Sequence, residues 1–103
     1  MTRVAFIMRL KPGCEAVYKE KHDAIWPELA GHLRSTGVRN YSIFRIELDL
    51  FAYLETDGSS PISGEVPPIV RDWWLMMEPY MDYNDDHSPK TWPMEEVFHL
   101  DEQ

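Results

Sequence analysis

Residues 18–29, YKEKHDAIWPEL, decide how the first half of the chain folds. Charged and apolar residues recur here at helical spacing, and then Trp26-Pro27 interrupts them. Proline has no N–H to give a preceding helical turn, and it pushes the residue before it toward extended angles. At a first helical position the same proline is favourable. PELAGHLRSTG therefore starts a second segment, which Gly37 closes, and the spacing predicts a bent or two-piece helix over 14–36. Glu15, Lys19, Glu20, Lys21 and Asp23 read as its solvated side.

Outward from that helix the pattern changes period. RVAFIMRL, 3–10, alternates as a strand, with Val4, Phe6, Met8 and Leu10 on one face and Ala5, Ile7 and Arg9 on the other. Lys11-Pro12-Gly13 ends it as a turn. VRNYSIFRI, 38–46, alternates again, placing Val38, Asn40, Ser42, Phe44 and Ile46 opposite Arg39, Tyr41, Ile43 and Arg45. A turn near Glu47–Asp49 leads to a hairpin partner, LFAYLE, at 50–55. TDGSSPISGEVPP, 56–68, is a turn-rich loop. A helix is expected over about 67–82, its end shortened or kinked by Pro79. A polar loop follows, and MEEVFHL, 94–100, reads as a closing strand.

The order strand, helix, strand, strand, helix, strand has one compact solution. Right-handed crossovers put the helices on one face of a four-stranded antiparallel sheet, a ferredoxin-like βαββαβ arrangement of the α+β class. At 103 residues it fits a single domain spanning 1–103. The other sheet face would be bare, and in a chain this short a second copy of itself is the simplest cover. A homodimer through the sheets is expected.

Composition narrows the function. The net charge of -8, from 18 acidic and 10 basic residues, repels nucleic-acid phosphates and anionic lipid. No apolar run approaches a membrane span, and the first residues lack the order of a signal peptide. A single cysteine, Cys14, excludes an internal disulfide and suits a reducing cytoplasm. It follows Pro12-Gly13, where a small residue at a helix start is the plain reading. Histidines 22, 32, 87 and 99 show no tight ligand spacing, and Asp85, Asp86 and His87 lack a calcium-loop pattern. No metal is expected.

Two constellations remain. Tyr18 and His22 lie one turn apart on one helical face, where a phenol and an imidazole can hydrogen-bond one small polar molecule. By spacing alone such a pair is more often a surface or core feature than a site. Trp73-Trp74 places two indoles about 100° apart on a helix. One can pack on the sheet while the other faces a cavity, where an indole suits the apolar face of a sugar; both can also be structural.

The chain resembles the L-rhamnose mutarotase family nearly end to end. The resemblance rests on Lys11-Pro12-Gly13, on Tyr18 followed by HDAIWPEL at 22–29, and on NYSIF at 40–44. Trp73-Trp74, NDDHSP at 84–89 and EVFHL at 96–100 complete it. It departs from the family in the Pro/Gly/Ser-rich 56–68 loop, and in Asn84-Asp85-Asp86, where the family tends to Asn-Pro-Asp. The resemblance implies a dimeric α/β barrel that interconverts the α and β anomers of L-rhamnose or a related 6-deoxyhexose without a cofactor. By that resemblance His22 is the proton-transferring residue, and Tyr18, Tyr41, Trp73 and Trp74 bind the sugar. Two alternatives are a cofactor-free monooxygenase on the same barrel and a non-catalytic sugar-binding module.

Overall fold

In the computed structural model, the described residues are 2–57 and 66–100. Most of the 56–68 loop (residues 58–65) thus lies outside them. The elements run β1 (Thr2–Arg9), α1 (Glu15–Asp23), α2 (Pro27–Ser35), β2 (Arg39–Ile46), β3 (Asp49–Thr56), α3 (Pro68–Met77) and β4 (Trp92–Met94). The strands form one antiparallel sheet in the order β2-β3-β1-β4, the ferredoxin-like order. Phe6, Met8, Leu50, Ala52 and Leu54 line one sheet face and form a single core with Tyr18, Leu29, Trp73 and Met77 of the helices.

The helix break falls where Pro27 requires it. Ala24 and Ile25 donate to the carbonyls of Glu20 and His22, closing α1. Trp26 is extended (φ -60°, ψ 126°), and Pro27 opens α2. At the far end Gly37, at φ 92°, donates to Arg34 O while Val38 donates to Leu33 O. This is a left-handed helix stop that only glycine adopts without strain, and a Cβ at Gly37 would also collide with the Asp57 carboxyl group. Neither nine-residue helix would hold in water alone, so packing on the sheet stabilises both.

Three sequence expectations need correction. First, strict alternation along β2 fails at a bulge. Arg39 pairs with Glu55 but Ser42 pairs with Tyr53, so one extra residue lies between, and Asn40 takes φ 51° there. Asn40 Nδ2 is held by Glu55 Oε1 at 2.9 Å. The extra residue flips the alternation, so Val38 joins the core on the same side as Ile43 while Phe44 and Ile46 point away. Second, the third helix does not reach residue 82: it ends at Met77 and Glu78–Tyr80 continue as a 3₁₀ turn, the shortening expected of Pro79. Third, the closing strand lies at Trp92–Met94, not at 94–100. Val97, Phe98 and Leu100 suggested a strand, but they are 88%, 77% and 76% exposed. Apolar residues with strand propensity do not extend a ladder when nothing in the chain covers them.

The second sheet face is the consequence. Register places Ile7 beside Phe51 and Trp92, Phe44 beside Phe51, and Ala5 beside Tyr53 and Met94. Phe44 and Ile46 are 68% and 63% exposed on this face. Ion pairs rim it, Arg3 with Glu96 at 2.7 Å and Arg9 with Asp49 at 3.2 Å.

Candidate functional site

Between the helices and the inner sheet face lies a cavity of about 920 Å³, open to solvent. Its size is in the range of small-molecule sites. Tyr18, His22, Tyr41, Trp73 and Trp74 all line it, so the five residues singled out in the sequence come together. Its floor is apolar, built by Met8, Leu50 and Met77.

Helix α1 supplies the polar edge. The rings of Tyr18 and His22 stack with centroids 4.2 Å apart and planes 29° apart, as residues one turn apart on a helix allow. Trp73 meets His22 edge-on at 5.3 Å and Trp26 edge-on at 5.0 Å. The residue before the break thus holds the indole that holds the imidazole. The bend at Trp26-Pro27 is part of the site's support.

His22 Nδ1 lies 3.1 Å from the Tyr18 carbonyl oxygen. A carbonyl only accepts, so Nδ1 carries the proton and donates. Neutral His22 therefore keeps its lone pair on Nε2, the nitrogen left for the cavity. Burial lowers the imidazole pKa below its ordinary 6.5, while the Tyr18 carbonyl and the Asp23 carboxylate partly restore it. At neutral pH the residue is a base.

The phenols shift the other way. Burial holds Tyr18 well above the ordinary tyrosine range, and Tyr41 and Tyr83 add to this. Burial also pushes Tyr41 up to about 12. Tyr41 is 39% exposed as a residue and lines the cavity. Both phenols keep their protons at physiological pH and can donate. Trp73 is buried, at 8% exposure, and Trp74 is only partly buried, which is the division that their 100° offset suggests.

Tyr83 and Glu15 are among the lining residues that the sequence reading did not assign to the site. Tyr83, in the loop after α3, donates its hydroxyl to Trp74 O at 2.7 Å and fixes that segment. No pattern announces a loop tyrosine. Glu15, taken for a solvated acid, lines the cavity instead. Its signal was available, because it precedes Tyr18 by three residues and His22 by seven, on one helical face.

The acidic loop at 84–89 is fastened to itself and to the 3₁₀ turn. His87 Nδ1 pairs with Glu78 at 3.0 Å, and the Asp86 carboxylate accepts from the Ser88 backbone N–H and hydroxyl. Among the described residues no group of three or more His, Cys, Asp or Glu is arranged to hold a metal ion. Cys14 sits just before α1 with Sγ 4.0 Å from Pro12 O. No helix among the described residues is long and apolar enough to cross a membrane.

Over residues 3–100 the sequence matches the family described as L-rhamnose mutarotase. The L-rhamnose mutarotase of Bacteroides thetaiotaomicron is 46% identical over 105 residues, covering 98% of this chain and all of its own. That of Phocaeicola vulgatus is 48% identical with the same coverage. A crystal structure of an L-rhamnose mutarotase from Formosa agariphila matches the fold with a TM-score of 0.88 at 40% identity, covering 98% of this chain and 100% of that one.

Proposed function

The chain belongs to the L-rhamnose mutarotase family, and on that premise we propose that it interconverts the α and β anomers of L-rhamnose in the cavity beside His22. The observation that carries the reading is the His22 geometry. A neutral imidazole, tied through Nδ1 to its own helix, keeps a basic Nε2 beside a cavity with ample room for a monosaccharide.

The reaction needs two proton transfers and room to turn. His22 Nε2 takes the proton of the anomeric hydroxyl as the bond from C1 to the ring oxygen breaks. The ring oxygen gains a proton from a second donor, and the Tyr18 hydroxyl, whose ring stacks on His22 along α1, is kept protonated for this by its raised pKa. The aldehyde turns about the C1–C2 bond, and the same steps in reverse close the other anomer. A base by itself also suits a cofactor-free monooxygenase. It is the family match and the relatives that favour the mutarotase reading over that and over a plain sugar-binding module. The Trp74 indole and the Tyr41 hydroxyl offer an apolar face and a polar contact to the sugar, while Trp73 backs the histidine.

Saturation-transfer NMR on equilibrated L-rhamnose tests the function. Catalytic amounts of protein are expected to transfer saturation between the two anomeric proton resonances, beyond the uncatalysed rate. Saturable binding without exchange would leave only a sugar-binding module, and oxygen uptake with a quinol would favour the monooxygenase.

The working form is proposed to be a homodimer joined through the bare sheet faces. Phe44, Ile46, Phe51 and Trp92 form an apolar centre ringed by ion pairs, the layout of a protein interface. The exposed Val97, Phe98 and Leu100 would gain their cover from the same second copy. Sedimentation should give twice the chain mass for the native protein. Phe44→Asp should shift it to the single-chain mass without altering the circular dichroism; an unchanged mass would remove this face from the interface.

A further inference from the structure

Among the described residues, one buried side-chain oxygen has no hydrogen-bond partner: Glu15 Oε1. Native proteins rarely leave a buried polar atom unmatched, and a carboxylate oxygen is among the costliest to leave so. Its place makes the gap informative, because Glu15 lines the cavity that holds Tyr18 and His22. The partner that helix spacing would offer is Lys19, one turn on. Lys19 is instead engaged by Asp23 at 2.8 Å. An acidic residue in a first helical turn is favourable, but it gains that benefit equally when facing solvent. The helix terminus therefore does not explain an oxygen turned inward.

Glu15, Tyr18 and His22 form a row along α1 at positions i, i+3 and i+7. Glu15 and His22 point within about 20° of each other and lie about 10 Å apart along the axis. That separation is too long for the two side chains to share a proton. It suits groups that hold opposite ends of one pyranose ring, with the Tyr18 phenol between them. A carboxylate is acceptor-only, and its two oxygens are spaced to take hydrogen bonds from neighbouring hydroxyls.

Resting on the mutarotase reading, we infer that Glu15 is a specificity-determining residue that accepts hydrogen bonds from the sugar hydroxyls remote from C1. With the substrate in place the carboxylate turns toward the cavity that Glu15 lines, and the oxygen that is closed off without substrate finds its missing donor. The sugar is held from both ends of the row: His22 works at the anomeric carbon, and Glu15 accepts from the hydroxyls at C3 or C4.

The test compares wild-type protein with Glu15→Gln, which keeps the shape and removes the charge. Each is assayed by anomer-exchange NMR on L-rhamnose and on its 4-deoxy and 3-deoxy analogues. For L-rhamnose, Glu15→Gln should raise KM about 10- to 100-fold, the loss of a hydrogen bond to a charged group, with kcat little changed. Wild-type protein should lose a similar factor when at least one remote hydroxyl is removed, and the variant should be nearly indifferent to its loss. A structural role predicts the reverse: lower thermal stability in the variant, with KM and the hydroxyl preference unchanged. A KM within about twofold of wild type, or an equal hydroxyl penalty in both proteins, overturns the inference. Wild-type protein that shows no exchange refutes the mutarotase reading itself. Calorimetric titration of both proteins with L-rhamnose then still decides Glu15, through weaker binding by the variant or equal binding.

Discussion

Glutamine in place of His22 is expected to slow anomer exchange by about 10²–10⁴-fold, the usual span of general acid–base catalysis. The side-chain amide can still meet the Tyr18 carbonyl, as Nδ1 does, and it fills much of the imidazole's volume between Tyr18 and Trp73. It has no basic lone pair to replace Nε2. The loss should therefore appear in kcat, with the fold intact by circular dichroism and the KM for L-rhamnose moved much less. A folded variant with full activity would remove His22 as the proton carrier. The pH profile of the wild-type enzyme checks the same assignment. Burial lowers the imidazole pKa below 6.5, so the base form persists to mild acidity. Activity should be level above pH 6.5 and fall below it, with a midpoint on the acid side of that value. No tyrosine should limit the rate near neutral pH, because the phenols titrate far above it. The linkage to stability has the same sign. A depressed folded-state pKa contributes stability above the unfolded value of 6.5, and this is lost as pH falls through the folded one. His22→Gln should lack that component of acid sensitivity, which denaturation at two pH values would show.

The element order and the helix break were legible because they depend on local chemistry. Pro27 leaves the chain no option at Trp26, and the strand faces of β1 repeat with an unbroken period of two. Tyr18, His22, Trp73 and Trp74 were legible as types at spacings and Tyr41 only through the family resemblance, and the fold was needed to show that the five share one cavity. The bulge at Asn40 was not legible. A single inserted residue leaves no periodic trace, and the flip of Val38 against Phe44 is visible only from the pairing with β3. The C-terminal strand was misplaced for a different reason. Val97, Phe98 and Leu100 carry the apolar pattern of a buried strand, but among the described residues they stay exposed. Glu15 shares a helical face with Tyr18 and His22, but acids in a charged helical turn usually face water, and its buried oxygen is what the sequence could not show. The His22 tautomer lies beyond any sequence reading, because it depends on which ring nitrogen meets the Tyr18 carbonyl.

The two adjacent tryptophans should fail in different ways. Trp73→Ala is expected to cost about 3–5 kcal/mol of stability, the range for deleting a buried aromatic ring. Trp73 is 8% exposed, and its ring packs edge-on against both Trp26 and His22. Small domains are stable by about 5–15 kcal/mol in total, so this variant should be close to unfolding at physiological temperature. It would also loosen the helix break and the imidazole at once, since one indole braces both. Trp74→Ala removes a ring that is only partly buried and lines the cavity. Its backbone carbonyl, which holds Tyr83, survives the substitution. Its loss of stability should be well under half that of Trp73→Ala, while its KM for L-rhamnose rises because the sugar loses an apolar wall. Urea denaturation of both variants, set beside anomer-exchange kinetics, separates the roles. Equal stability losses would mean that both indoles are core residues. An unchanged KM in Trp74→Ala would take that ring out of the sugar site and leave recognition to the polar row on α1.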